Sequence, residues 1–150
     1  MTKNDLISGN ILRALSANGR ITNLQLADLV GLSPSACLRR VQDLERRGII
    51  TGYRAVLNPG AMGIGVIAYI GVGLGEHSKT AQQRFERAVS RSPEVIECHN
   101  VTGTIEYLLR IECSDLAAYK AFHTDLLGDL PHVNSITSYM VLDSPKDQRA

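Results

Sequence analysis

The opening of the chain places apolar residues at the spacing of an α-helix. The first apolar series, one residue in four, consists of Ile7, Ile11 and Leu15. This spacing puts three side chains on one face of a helix. Asn18 and Gly19 follow, a pair that commonly ends helices, so the pattern predicts a first helix up to this point.

Two shorter helical segments follow. Thr22, with Gln25 three residues later, has the pattern of a capping box and introduces a helix that Gly31 ends. Ser33 and Pro34 then suit the N-cap and first turn of a third helix. The residues predicted to face inward are Leu24, Ala27 and Val30 in the second helix, and Cys37, Val41 and Leu44 in the third, which ends at Gly48.

A segment of β-forming residues comes next, from Ile49 to Leu57. Gly52 interrupts it, and Asn58-Pro59-Gly60 ends it. We predict a short wing hairpin or a linking strand here.

Beyond Gly63 the apolar period changes from helical to two. One face of the predicted strand carries Val66, Ala68, Ile70, Val72 and Leu74, whereas the other face thins to Gly71, Gly73 and Gly75. A face of glycines suits the close approach of another backbone or a second sheet.

The remaining elements alternate strands and helices. A helix begins at Ser78 and ends at Pro93, and strands at 95–102 and 105–113 are joined by a hairpin at Gly103 and Thr104. In the second of these strands Ile105, Tyr107, Leu109, Ile111 and Cys113 share one side, opposite Glu106, Leu108, Arg110 and Glu112. A helix from Ser114 to Gly128, with Leu116, Tyr119, His123, Leu126 and Leu127 at helical spacing, precedes a strand at 133–142.

This order predicts an α+β chain: a winged helix-turn-helix followed by a ferredoxin-like βαββαβ domain. The domain boundaries that it predicts are a DNA-binding domain at 1–52, a linking strand or hinge at 53–63, a ferredoxin-like domain at 64–143 and a tail at 144–150.

Composition and charge support this division. The chain has 150 residues, 44% apolar and 21% charged, which is typical of a globular protein. Its net charge is only +1, but residues before Asn58 carry +4 and the rest −3. A basic first part on an acidic second part favours a polyanionic partner at one end of the chain.

Other classes of function find little support. No apolar run approaches the length of a membrane span and no signal peptide is visible, so we expect no membrane partner and a cytoplasmic location. Cys37, Cys98 and Cys113 form no CxxC pair, and strand alternation separates Cys98 from His99, so no metal is expected. No nucleophile paired with a base stands out, and neither catalytic residues nor a cofactor are predicted.

The third helix is the candidate recognition helix. Its N-terminal half presents Ser35, Ala36 and Arg39 outward, where a recognition helix reaches base edges in the major groove. The other candidate DNA contacts are Ser33 at the helix start and the phosphate-binding candidates Arg40, Arg46, Arg47 and Arg54. A helical hairpin with a solvated basic face is the alternative interpretation.

These residues resemble the Lrp/AsnC (leucine-responsive regulator, feast/famine) family. The resemblance rests on residues 18–27 (NGRITNLQLA), 30–41 (VGLSPSACLRRV) and 44–59 (LERRGIITGYRAVLNP), and extends to 97–103 (ECHNVTG) and 107–110 (YLLR). It implies a transcription regulator that binds double-stranded DNA. It also implies homodimers formed through the sheet, which often assemble into octamers.

The resemblance further implies a small-molecule effector, commonly an amino acid, bound near the hairpin where dimers meet. The implied effector-binding residues are Gly103, Thr104 and Glu106, with Tyr139 and Met140 as neighbours on the last strand. Thr104 departs from the acid that often follows this glycine, and Ser8 replaces the usual second Asp of the first helix. For Glu106, a solvated carboxylate at the sheet edge is the alternative.

Two other functions stay open at this point. One is a DNA-organising protein that needs no ligand, and the other is an enzyme built on a ferredoxin-like dimer. Salt-dependent binding to duplex DNA separates the enzyme from both DNA-binding functions. A ligand that shifts DNA affinity then separates the regulator from the DNA-organising protein.

Overall fold

The computed structural model describes residues 3–76 and 78–147. Within these ranges, no helix combines the length and the apolar character needed to cross a membrane. The chain divides between Val56 and Leu57 into two compact units, inside the segment predicted to link two domains.

The first unit contains three helices: α1 (Lys3–Ala17), α2 (Asn23–Val30) and α3 (Pro34–Arg46). Ile11, Cys37 and Leu44 are buried between them, as the helical spacing predicts. The prediction for Leu24 is wrong: its side chain is 61% exposed, and Leu26 is buried in its place. Leu26, Ala27 and Val30 form the inner face of α2, so the predictions for Ala27 and Val30 are confirmed and the error is confined to the first position of the series.

The turn between α2 and α3 forms as the cap residues predict. Thr22 Oγ1 accepts the Gln25 N–H at 3.2 Å and Gln25 Oε1 accepts the Thr22 N–H at 3.1 Å, which completes a capping box. Gly31 ends α2 with φ 68°, a left-handed conformation that favours glycine. Ser33 Oγ then accepts the Ala36 N–H at the start of α3. These local signals fix the close spacing of the two helices.

The segment after α3 differs from the prediction. Residues 49–59 contain no β-strand, so the wing is not a paired hairpin in this chain. Gly48 adopts φ 68°, and the N–H groups of Ile49 and Ile50 both donate to the Leu44 carbonyl. The first two N–H groups of the predicted segment therefore close the end of α3. A short 3₁₀ turn (Gly60–Met62) follows.

The second unit is a four-stranded antiparallel sheet with helices on one face. Its elements are β1 (Val66–Leu74), α4 (Lys79–Val89), β2 (Val95–Asn100), β3 (Tyr107–Cys113), α5 (Leu116–Ala121) and β4 (Val133–Met140), and the strand order is β2-β3-β1-β4. This is the predicted ferredoxin-like arrangement. Alternate residues of β1 and β3, such as Ile70 and Leu109, face the helices and build the core with Phe85.

The connection between β2 and β3 is longer than predicted. It runs over residues 101–106 in place of a two-residue turn at Gly103 and Thr104. Ile105 was predicted on the core side with Tyr107, yet its side chain packs on the opposite side of the sheet, against Gly71. A Cβ on Gly71 would lie 2.9 Å from Ile105 Cδ1, so the glycine face of β1 receives side chains of its own chain.

The helix after β3 has two parts. Asp115, not Ser114, caps α5, and its carboxylate accepts the Ala118 N–H at 2.8 Å. The helix then widens into a π-helical turn from Phe122 to Leu127, and both of these residues are buried. Leu116, the first residue of the helical series, is 66% exposed in the first turn of α5.

Candidate nucleic-acid interface and ligand-domain loop

The exposed face of α3 forms a basic groove of about 450 Å³. Its lining comprises Ser8 and Leu32 together with Ala36, Arg39, Arg40, Asp43, Arg46 and Arg47. The α3 members recur at the period of the helix, which is why one face collects four guanidinium groups. Ser35, another predicted DNA contact, is exposed on α3 but does not line this groove.

The remaining predicted contacts have different surroundings. Ser33 is occupied as the N-cap of α3, and its hydroxyl lies 3.3 Å from that of Ser35. Arg40 donates to Ser8 Oγ at 3.2 Å and so ties α3 to α1 at the position where Ser8 departs from the family pattern. Arg54 lies on the exposed segment after α3. Here Tyr53 donates its hydroxyl hydrogen to Glu45 Oε1 at 2.8 Å and holds the segment to the end of α3.

Asp43 is the one acid among the residues that line the groove. One of its oxygens accepts a hydrogen bond from Arg46, and the other lies 3.4 Å from Arg47 Nη1. The hydrogen bonds from Arg46 and Arg47 hold the pKa of Asp43 below its ordinary value, so the carboxylate stays ionised. Sequence reasoning assigned it no role, although an acid three and four residues before two arginines is the signal of such pairs.

The loop of the second unit presents Gly103 and Thr104 to solvent. Gly103 has φ 137°, which favours glycine. Glu106, at the end of the loop, turns its carboxylate back to the sheet: Oε2 accepts the Leu74 N–H at 2.6 Å. This bond lies where the pairing of β1 with β4 shifts register between Gly73 and Leu74. Glu106 therefore stabilises the irregular end of β1.

The structure separates the five predicted effector residues into two groups within one chain. Tyr139 and Met140 pair with Tyr69 and Ala68, whereas Glu106 lies level with Gly73, about 13 Å further along β1. Met140 also lines a broad groove of about 960 Å³, formed with Tyr69 and residues 141–147. The loop and the end of β4 cannot contact one small ligand from the same chain.

Tyr107 lies on the core side of β3, as the strand alternation predicts, and anchors the end of the loop. Its side chain is 1% exposed, its ring centroid lies 4.6 Å from that of Phe85, and its hydroxyl donates to Glu86 Oε1 at 2.8 Å. Burial, followed by the bond to Glu86, raises the pKa of Tyr107 to about 12.

The cysteines and histidine considered for metal binding lie apart. Cys98 pairs with Leu109 and His99 with Leu108, so the two side chains point to opposite faces of the sheet. All three cysteines are free thiols. No group of three metal-ligating side chains occurs in residues 3–76 and 78–147.

Comparisons with known proteins agree with both units. Residues 4–51 match the family described as winged helix-turn-helix DNA-binding, and residues 67–150 match the Lrp/AsnC ligand binding domain. The leucine-responsive regulatory protein of Escherichia coli K12 is 39% identical over 142 residues, which are 95% of this chain and 87% of that protein.

Solved structures give the same result. A transcriptional regulator from Neisseria meningitidis, in complex with L-Met, superposes with a TM-score of 0.91 at 37% identity over 98% of this chain and 93% of that one. A feast or famine regulatory protein from M. tuberculosis, complexed with L-methionine, gives a TM-score of 0.83 at 30% identity over 97% of both chains.

The helix-turn-helix with its basic α3, joined to a ligand-binding sheet domain, defines a DNA-binding transcription regulator. The match of residues 67–150 to the Lrp/AsnC ligand binding domain and the similarity over 95% of the chain make the assignment specific. The chain belongs to the Lrp/AsnC family.

Proposed function

We propose that this regulator reads a pseudo-palindromic operator with α3 and that an amino acid bound to the second unit adjusts its DNA affinity. The observation that carries the proposal is the exposed face of α3, which aligns Arg39 in the N-terminal half of the helix with Arg46 and Arg47 at its end. The N-terminal half of a recognition helix reaches base edges, while cations elsewhere contact phosphates. On this proposal the protein regulates transcription in the cytoplasm and does not act as an enzyme.

A matched pair of variants tests the assignment of the arginines. Arg39→Ala should weaken binding to the operator by about 10- to 100-fold and binding to random duplex much less, because a base contact is lost. Arg46→Ala should weaken binding to both duplexes equally, because a phosphate contact carries no sequence information. The operator is first obtained by selection from random DNA. Equal losses on both duplexes for Arg39→Ala would move this residue to the phosphate-binding class.

We propose further that the protein acts as a homodimer that assembles to an octamer. The sheet face away from the helices supports this, because it carries Ile67, Leu108 and Tyr139, which are not fully buried in the single chain. Two recognition helices related by a two-fold axis favour half-sites about one DNA turn apart, or a multiple of it. The proposal of a homodimer that binds DNA would be contradicted if the selected sequences contained a single asymmetric half-site. A monomer in a mass measurement would contradict it as well.

For the effector we propose an amino acid, since the Neisseria and M. tuberculosis relatives are described in complex with methionine. The exposed loop with Gly103, Thr104 and Glu106 forms one wall of the site, and the wide separation from Tyr139 and Met140 implies that a second chain supplies the other wall. Glu106 then has two tasks: one oxygen holds the Leu74 N–H, and the negative charge attracts an α-ammonium group.

Glu106→Gln separates these two tasks. The amide oxygen of glutamine can still accept the Leu74 N–H, so the fold should persist while the charge is lost. Calorimetry with L-methionine should show binding weakened about tenfold, with DNA affinity in the absence of methionine unchanged. Glu97→Gln, on the neighbouring strand, is the control for charge removal. Unchanged methionine binding in Glu106→Gln would leave this carboxylate with its structural role alone.

The bond from Leu74 to Glu106 also favours a second candidate function. A carboxylate already committed to the backbone suits a DNA-organising protein that needs no ligand. In that case, no amino acid of the standard twenty would change the affinity for DNA or the assembly state of the wild-type protein.

A further inference from the structure

The acid in the basic groove calls for an explanation, because it stands where DNA phosphates are expected. Asp43 follows Arg39 by one helical turn and precedes Arg46 and Arg47 by another, so all four side chains share the exposed face of α3. An ionised carboxylate at this place repels a phosphate backbone and reduces the positive charge of its neighbours.

The geometry of Asp43 directs its charge to two particular partners. Its two oxygens are divided between Arg46 and Arg47, so one carboxylate holds two guanidinium groups along the helix. Both pairs are accessible to water: side-chain exposure is 39% for Asp43, 75% for Arg46 and 60% for Arg47. Exposed pairs of this kind contribute little net stability and open readily. The three side chains can therefore exchange these bonds for phosphate contacts.

We propose that Asp43 is a positioning residue that limits the sequence-independent part of DNA binding. In the free protein it engages Arg46 and Arg47, and each phosphate contact made by these arginines must first break a bond to Asp43. The inference rests on the proposed role of α3 as the DNA-reading helix. Its consequence is a moderate affinity for every duplex, operator and random sequence alike.

The test compares Asp43→Asn with the wild-type chain on a duplex of random sequence over a range of salt concentrations. One additional phosphate contact steepens the slope of log K against log salt by about 0.9, which corresponds to about eightfold tighter binding near 0.1 M salt. We expect a gain of that size on random duplex and a similar gain on the selected operator. Asp28→Asn, which removes an exposed acid from α2, is the matched control and should give a much smaller change.

A combined variant shows whether Asp43 acts through the arginines. In a background of Arg46→Ala and Arg47→Ala, the substitution Asp43→Asn should tighten binding no more than the control Asp28→Asn does. A role confined to helix stability would not move the salt slope, and thermal unfolding of each variant monitors that role separately.

Three outcomes overturn the inference, and each is distinct from failure of the proposed function. Asp43→Asn can leave the affinity and salt slope unchanged, or the gain can persist without the arginines. Asp43→Asn can also weaken binding to the operator through the loss of a contact at one base pair, and Asp43 would then be a residue that contacts cytosine N4. If the wild-type chain binds no duplex, or loss of both arginines has no effect, the DNA-reading role of α3 itself fails.

Discussion

Tyr107 offers a quantitative test of how the second unit is held together. Tyr107→Phe keeps the ring that packs on Phe85 and removes only the hydroxyl that donates to Glu86 at 2.8 Å. A hydrogen bond to a charged group contributes about 1.5 to 3 kcal/mol. Glu86 is exposed and regains water when the hydroxyl is lost, so we expect the free energy of unfolding to fall by about 1 to 2 kcal/mol near pH 8.

The stability difference between the wild-type chain and Tyr107→Phe should decrease as the pH rises above 10. Because the folded chain raises the pKa of Tyr107 from 10.0 to about 12, the folded state keeps a proton that the unfolded state releases above about pH 10. The stabilisation is thus fully present below pH 10 and is lost as the pH rises towards 12, by about 1.4 kcal/mol per pH unit. Phenylalanine has no proton to lose, so the advantage of the wild-type chain should close near about pH 11.

Urea unfolding between about pH 8 and pH 11, followed by far-ultraviolet circular dichroism and tyrosine fluorescence, measures the loss of stability in Tyr107→Phe and its dependence on pH. Tyr53→Phe is the control, since this tyrosine is 52% exposed and its bond to Glu45 lies open to water, so its loss should cost much less than that of the Tyr107 bond. A gap between wild type and Tyr107→Phe that stays constant up to pH 11 would refute the raised pKa. Equal stabilities near pH 8 would refute the contribution of the hydrogen bond.

Four further substitutions test the packing of the two units by the same urea unfolding. Thr22→Ala removes the capping box and should lower the free energy of unfolding of the first unit by about 1 kcal/mol, and no change would show that the cap contributes nothing. Gly65→Ala should cost about 1 to 3 kcal/mol, because the new Cβ would lie 2.4 Å from the Ser114 carbonyl oxygen. Gly9→Ala, in open space within α1, should instead stabilise by about 0.5 to 1 kcal/mol, and the reverse order of these two glycines would contradict the backbone geometry. Leu109→Ala leaves a cavity in the core of the second unit and should cost about 2 to 5 kcal/mol, whereas a loss below 1 kcal/mol would mean that the core collapses around it.

Local signals in the sequence were sufficient for much of the fold. The caps at Thr22 and Ser33 act through hydrogen bonds to residues three positions away, so a short stretch of sequence contains both partners. The alternation from Tyr107 to Cys113 is equally local, since successive side chains of a strand point to opposite faces. The exposed face of α3, the candidate recognition helix, could be predicted from the same local signals.

The features that sequence reasoning missed depend on residues far apart in the chain. Glu106 is drawn back by the Leu74 N–H, 32 positions earlier, and Ile105 leaves the predicted strand to pack on Gly71. Both contacts lengthen the loop beyond the two-residue turn. Leu24 was misplaced for a different reason: α2 has only two turns, and so short an apolar pattern is compatible with more than one inner face.

The π-helical turn bears on how this chain tolerates changes in length. Phe122 and Leu127 are five positions apart, and in an α-helix such residues point about 140° away from each other. The wider turn, in which the Gly128 N–H donates to the His123 carbonyl, allows both to enter the core. Deletion of one exposed residue, such as Thr124, would place them four positions apart, where an α-helix also brings two side chains to one face. A deletion in β3 would instead turn every later side chain of that strand to the opposite face. The helix after β3 is therefore a place where evolution can remove a residue and keep the same core.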